Sequence, residues 1–177
     1  LRPDGLGFFP IMTNALFNDR ADKVRLQVLS PAGFWLYQWK ELPLAAFAGM
    51  RLRSLDDQGC VVHLPGGWRT QNPFRSTYFA AQMMAAEMST GAPGMVLCRG
   101  SESRISMLVT GISAVFTKKI AGPSRFTFTD MQALSDTIAR AGATGEPCTF
   151  TARSVGTTES GEVASEFQVT WSFKRRS

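Results

Sequence analysis

Residues 72–91 read NPFRSTYFAAQMMAAEMSTG, and this stretch decides the fold. It is apolar or small almost all round, with a single carboxylate, Glu87, set deep inside it. Asn72 is a favoured N-cap, Pro73 suits the first helical position and Gly91 suits a C-terminus, so one helix is expected over 72–91, with GAPG turning the chain back. A helix without a polar face has to be covered on every side. An ionisable group buried there is costly unless something uses or compensates its charge. The stretch therefore predicts a sheet wrapped around a central helix, and it nominates Glu87 as a functional group.

The flanking segments fit that arrangement. Residues 50–55 and 60–64 surround Asp56-Asp57-Gln58-Gly59, a turn-rich link, and read as a hairpin. Residues 104–119 alternate apolar with small or polar positions, a long strand with Gly111 as a candidate bulge. Residues 125–129 make another strand, Asp130 is placed to cap a helix over 131–140, and 147–155 and 162–173 form a hairpin around TTESGE. The order is α+β, with about five or six antiparallel strands.

The first third reads as helical. Pro10 can open a helix over 11–18, and 23–29 forms a second, stopped by Ser30-Pro31. From Gly33, FWLYQWKELPLAAF is dense in Phe34, Trp35, Tyr37 and Trp39. Its charges are Lys40 and Glu41 and no basic face develops, so a lid or covering helix is the first reading, and an arm lining an acyl pocket or touching a membrane the second. No linker or repeat divides the chain, so 1–177 is one domain: a helical segment over 1–48 and a core over 49–177.

With 177 residues, 44% of them hydrophobic and 19% charged, the chain supports one well-packed domain. A net charge of +5 suits anionic ligands but is too small and scattered for a nucleic-acid protein. Cys60, Cys98 and Cys148 have no CxxC spacing and read as free thiols in a reducing compartment. With one histidine, His63, neither a Cys/His zinc cluster nor HExxH is available, and no metal or cofactor is expected. His63 shares a strand face with Val61, opposite Cys60, Val62 and Leu64. No stretch is long and apolar enough to span a membrane and no leader is visible, so a cytoplasmic location is expected.

These segments resemble the hot-dog fold superfamily, in its acyl-CoA thioesterase-like branch related to phenylacetyl-CoA-type thioesterases. Proteins of that branch carry a pattern like N-x-x-G-T-H-G-G-x-x-x-x-L-A-[DE] at the start of the central helix. Thr77, Ala86 and Glu87 hold its spacing and Asn72 stands one position ahead of its asparagine, while Ser76 replaces a glycine and Tyr78, Phe79 and Ala80 stand where it has His-Gly-Gly. VTGISAVFTKKIAGPSRF and the last two strands are similar to the family's later elements, so the likeness spans roughly 44–174.

The resemblance implies a curved sheet around a long central helix, hydrolysis of an acyl-CoA thioester, and a site shared between two subunits. Glu87 would be general base or nucleophile, with Asn72 and Thr77 beside it. The backbone amides of Phe79 and Ala80 would hold the oxyanion, provided they are not consumed by the helix ladder and the Phe79 ring points away. Lys118, Lys119 and Arg125 would meet the coenzyme A phosphates, or else form a solvated strand end. In one continuous helix Asn72 and Glu87 would lie about 22 Å apart, so a homodimer is expected, with a dimer of dimers left open. A non-catalytic acyl- or lipid-binding protein on the same fold is the alternative. A hydratase is weakened because His63 lies in a strand ahead of the helix. Glu87 itself reads equally as catalytic or as a carboxylate satisfied by a hydroxyl or a cation such as Arg75.

Overall fold

The computed structural model describes residues 16–176. Three helices come first: α1 (Asp19–Leu29), α2 (Pro31–Glu41) and α3 (Pro43–Ala48). The hairpin β1 (Arg51–Leu55) and β2 (Cys60–Leu64) leads to the long helix α4 (Phe79–Gly100). Then come β3 (Ile105–Phe116), β4 (Ser124–Phe128), α5 (Met131–Thr144), β5 (Cys148–Thr158) and β6 (Val163–Arg175). The strands form one curved six-stranded sheet in the order β1-β2-β4-β5-β6-β3, every neighbouring pair antiparallel. With α4 lying against it, this is the α+β hot-dog architecture expected from the sequence.

The central helix exists, but its limits differ from the expected 72–91. Asn72 does not cap it. The Asn72 Oδ1 atom accepts from the amides of Phe74 (3.0 Å) and Ser76 (3.1 Å) and from the Ser76 hydroxyl (3.1 Å), which holds a local turn in place of a helical one. Arg75 sits at φ 56°, outside the helical region. Thr77 bridges to Gln71 and donates its amide to the Ile120 carbonyl at 2.7 Å, so the first helical residue is Phe79, with Tyr78 at the N-cap.

At the other end the helix runs straight through Gly91, Pro93 and Gly94, and GAPG is no loop. Burial overrides local propensity here. A Cβ at Gly91 would stand 2.9 and 3.0 Å from the Trp171 ring, so the glycine lets the sheet approach the helix. A Cβ at Gly100 would lie 2.6 Å from that of Ala21 on α1. Pro93 costs a ladder bond to the Ser89 carbonyl, but it is buried among apolar neighbours and the helix continues to Gly100.

Elsewhere the differences are smaller. Of the helix expected over 11–18, residues 11–15 lie outside the described residues, and 16–18 are not helical. Asn18 instead N-caps α1 by accepting from the Ala21 amide at 3.0 Å, which starts that helix at Asp19 rather than at residue 23. Ser30 ends α1 and caps α2. In the β1–β2 turn, Asp56 Oδ1 accepts from the Gln58 and Gly59 amides at 2.9 and 3.1 Å. The register of β3 against β6 shifts between Val109 and Gly111, the expected bulge. Asp130 stands at the α5 N-cap but its side chain makes no capping bond, and the helix runs on to Thr144 before Gly145 closes it at φ 77°.

The core lies between α4, α5 and the inner sheet face, around Phe126, Phe128, Phe167 and Phe173. Two polar contacts fix α4 to the sheet within it. The Ser89 and Ser154 hydroxyls share a buried hydrogen bond of 2.8 Å, and the Trp171 indole donates to the Thr90 hydroxyl at 2.9 Å. Ser89→Ala leaves a buried hydroxyl with its partner removed, and is expected to destabilise the protein by about 1–3 kcal/mol in urea denaturation. The double change Ser89→Ala with Ser154→Ala should cost less than the two single changes summed.

Candidate functional site

Ala80, Met84, Glu87 and Gly91 fall at i, i+4, i+7 and i+11 and so share one stripe along α4. Helices α1 to α3 roof this stripe, leaving two cavities beneath them. The first, about 270 Å³, is lined by Val28, Phe34, Tyr37, Leu42 and Trp171 around the Glu87 carboxyl. The second, about 330 Å³, lies at the helix start under Leu44 and Phe47, against Tyr78, Ala80 and Met84.

Glu87 is only partly exposed, and among the described residues no hydrogen bond or ion pair engages its carboxyl. The expected cation is not there: Arg75 is exposed in the preceding loop. The nearby hydroxyl of Thr90 is already used, donating to the Glu87 carbonyl at 3.0 Å and accepting from Trp171. Burial alone pushes the carboxyl above its ordinary range, because nothing offsets the lost hydration of the charged form. A carboxyl in that condition can accept a proton from water or attack a carbonyl carbon when ionised, and can donate a proton when neutral.

The later start of α4 changes the geometry at its N-terminus. The amides of Ala81 and Gln82 donate to the Tyr78 carbonyl at 3.0 and 3.2 Å, while those of Phe79 and Ala80 precede the ladder and find no acceptor among the described residues. The Phe79 side chain is half exposed, its ring edge-on to Tyr78 at 4.8 Å. Asn72 uses Oδ1 within its own turn, which leaves the Nδ2 group to donate. Thr77 is buried, and its carbonyl accepts from the side-chain Nε2 of Gln82 at 3.1 Å. Glu87 stands eight positions beyond Phe79, about 12 Å along the axis, so one chain does not bring the acid and the free amides onto one atom.

The three expected phosphate-binding cations lie apart from these cavities. Lys118 donates to Glu162 at 2.6 Å, Lys119 is exposed after β3, and Arg125 lies on the outer sheet face. His63 stands on that same outer face, in register with Arg51 on one side and Arg125 on the other. Partial burial, then Arg53, Arg51 and Arg125, push its pKa below the usual histidine range, with Glu159 opposing them. The cysteines are free and buried, and burial pushes the Cys98 thiol up to about 12, so none is a ready nucleophile. No group of three or more metal-ligating side chains occurs among the described residues. The residues that sequence reasoning missed are the cavity walls. Tyr37 and Phe34 were visible as an aromatic-rich segment, but nothing marked their inward faces, and Trp171 read only as one position in a terminal strand.

No protein-family model matches the chain, and no curated protein is similar to it in sequence. Solved structures are similar in fold. A Pseudomonas aeruginosa protein of unknown function, described as a probable thioesterase, superposes with a TM-score of 0.67 at 21% identity over 82% of this chain and 97% of its own. A Haemophilus influenzae thioesterase superposes with a TM-score of 0.57 at 13% identity, over 79% of this chain and 88% of its own. A Staphylococcus aureus thioesterase carrying a glutamine-to-alanine change gives 0.60 at 14% identity, over 75% and 98%. The same protein was also crystallised with a glutamate, fifteen positions further on, changed to alanine.

The Glu87 carboxyl makes a prediction that requires no substrate. Its raised pKa means that the folded state binds the proton more tightly than the unfolded chain. The contribution is therefore favourable below the ordinary carboxylate range and is lost as pH rises through the raised value. Glu87→Gln, which stays neutral, should melt a few degrees higher than the native chain at neutral pH, and the difference should vanish at acidic pH. Differential scanning calorimetry across pH reads both.

Proposed function

We propose that this chain is a homodimeric hydrolase of acyl-CoA thioesters, working in the cytoplasm with Glu87 as its general base or nucleophile. One observation carries the reading: an unpaired carboxyl, with its pKa raised, held in an apolar cavity of acyl-chain dimensions. As base, Glu87 takes a proton from water while the water oxygen bonds to the thioester carbonyl carbon. The carbon–sulfur bond then breaks, and the coenzyme A thiolate leaves with the proton. As nucleophile, the carboxylate bonds to that carbon and the carbon–sulfur bond breaks to release the coenzyme A thiolate. Water then cleaves the resulting anhydride, freeing the acid, restoring the Glu87 carboxylate and supplying the thiolate's proton. The amides of Phe79 and Ala80 stabilise the oxyanion in either case.

The acid of one subunit and the helix start of the other meet across a two-fold axis in this proposal. Support comes from β3, a twelve-residue strand at the sheet edge that carries the exposed side chains Leu108, Val115 and Phe116. The glutamine and glutamate altered in the S. aureus protein have the spacing of Asn72 and Glu87 here, which supports assigning these two residues to one site. Asn72 orients water or the carbonyl through its free Nδ2 donors, and Thr77 positions the turn that precedes the amides. Lys119 and Arg125, exposed and without an acidic partner among the described residues, meet the coenzyme A phosphates, joined by Lys118 once it releases Glu162.

The second reading, a non-catalytic acyl-binding protein, is favoured by one feature: Phe79 occupies a position where a glycine would open the helix start. A panel of short-chain, medium-chain and aryl acyl-CoAs with detection of free thiol separates the two. Hydrolysis is expected, with Glu87→Ala lowering kcat by roughly 10²–10⁴-fold. Equal rates for the two proteins would remove Glu87 from the mechanism, and retained acyl ligand without turnover would establish the second reading. Val115→Lys on the β3 edge should convert the dimer to monomer in light scattering and abolish turnover with it.

A further inference from the structure

The helices that roof the α4 stripe carry a second feature, on their outward side. Trp35 and Leu36 on α2, Leu44 after its end and Trp68 in the loop beyond β2 are 61%, 64%, 66% and 71% exposed. Such large side chains are not left in water without a reason when they cluster. Trp35 and Trp39 contact each other at 6.4 Å and, with Arg51, Arg53 and Arg69, line a groove of about 680 Å³ between α2 and the β1 edge. Arg69 joins this groove to the rest of the surface by stacking over both Phe47 and Trp68, at 5.9 and 6.0 Å. Among the described residues no acidic side chain pairs with Arg51, Arg53 or Arg69. On the roof helices, Glu41 is matched by Lys40 at 3.2 Å. Asp56 and Asp57 lie at the tip of the hairpin, beyond the groove.

We infer that this face docks on an anionic phospholipid surface. Tryptophan is at home in the headgroup region, where its ring is half in hydrocarbon and its N–H in water. Unpaired arginines alongside add attraction to acidic headgroups. A second copy of the chain fits this face poorly, because a two-fold contact would set the arginine clusters against each other. No helix among the described residues is long and apolar enough to cross a membrane, so the association is interfacial.

The docked face stands next to the Glu87 cavity. Phe34 lines both the cavity and the arginine groove, and Leu42 lines the cavity while being 40% exposed. A chain on the membrane would therefore offer that cavity to acyl groups drawn from the bilayer. This consequence rests on the catalytic reading of Glu87; docking itself does not.

Co-sedimentation with vesicles of phosphatidylglycerol, set against vesicles of phosphatidylcholine, tests the inference without any turnover measurement. The full chain should bind the first and not the second, with a blue shift in tryptophan emission and release by high salt. Arg51→Glu with Arg53→Glu should lower partitioning by on the order of ten-fold or more. Trp35→Ala with Trp39→Ala should weaken it, and Trp68→Ala, outside any helix or strand, supplies a variant that leaves the elements intact. Equal binding to both vesicles, no binding to either, or undiminished binding by the arginine variant would overturn the inference. So would conversion of a larger species to a smaller one by the tryptophan variant in the absence of lipid, which would make this face a protein interface.

Discussion

Trp171 reaches from β6 to lie against α4 at a place where a side chain on the helix would hold it off, and Gly91 leaves that place open. Its indole also donates to Thr90 on the next residue of the helix. A helix with no polar face can be stable only if both its sides are covered, and this contact fixes how closely the sheet covers one of them. The other side is left to α1, α2 and α3. That second covering is looser than the first, and the cavity beside Glu87 is the space that remains between them. The site is thus a by-product of how the central helix is enclosed: a close approach on the sheet side and a roof of separate helices on the other.

The electrostatics follow from the same enclosure. Thr90, three positions on from Glu87, spends its hydroxyl on the helix carbonyl and on Trp171, and the Tyr37 hydroxyl in the same cavity donates to the Met95 sulfur. Of the cations considered for it, Arg75 is exposed in the loop before the helix and Arg125 lies on the outer sheet face. The acid is left with burial as the dominant influence, which raises its pKa where an ion pair would have lowered it.

Much of this was legible in the sequence. The near all-round apolarity of 72–91 required a central helix, the strand alternation and turn residues placed all six strands of the sheet within a few positions, and Glu87 stood out as the acid within that helix. What misled was local punctuation. Asn72 and Pro73 look like a helix start, but the Asn72 side chain closes a turn of its own, and the true start at Phe79 has no side-chain cap to announce it. Gly91, Pro93 and Gly94 look like a stop, but they are buried against the sheet, where small residues are needed for contact and tertiary burial outweighs helix propensity. The later start has a chemical consequence, since it frees the amides of Phe79 and Ala80 that a helix from Asn72 would have used. The cavity walls were not legible, because which face of an aromatic segment turns inward is decided by partners remote in the chain.

The two borders of the sheet differ in kind. β1 is five residues long, and both of its outward-facing arginines would repel an incoming strand of the same make, whereas β3 is twelve residues long and apolar. Growth by strand addition is therefore directional. If two copies join through β3 as proposed, the longer border is used up and only the arginine-bearing borders remain. A sheet built in this way is self-limiting and is protected against running on into fibres.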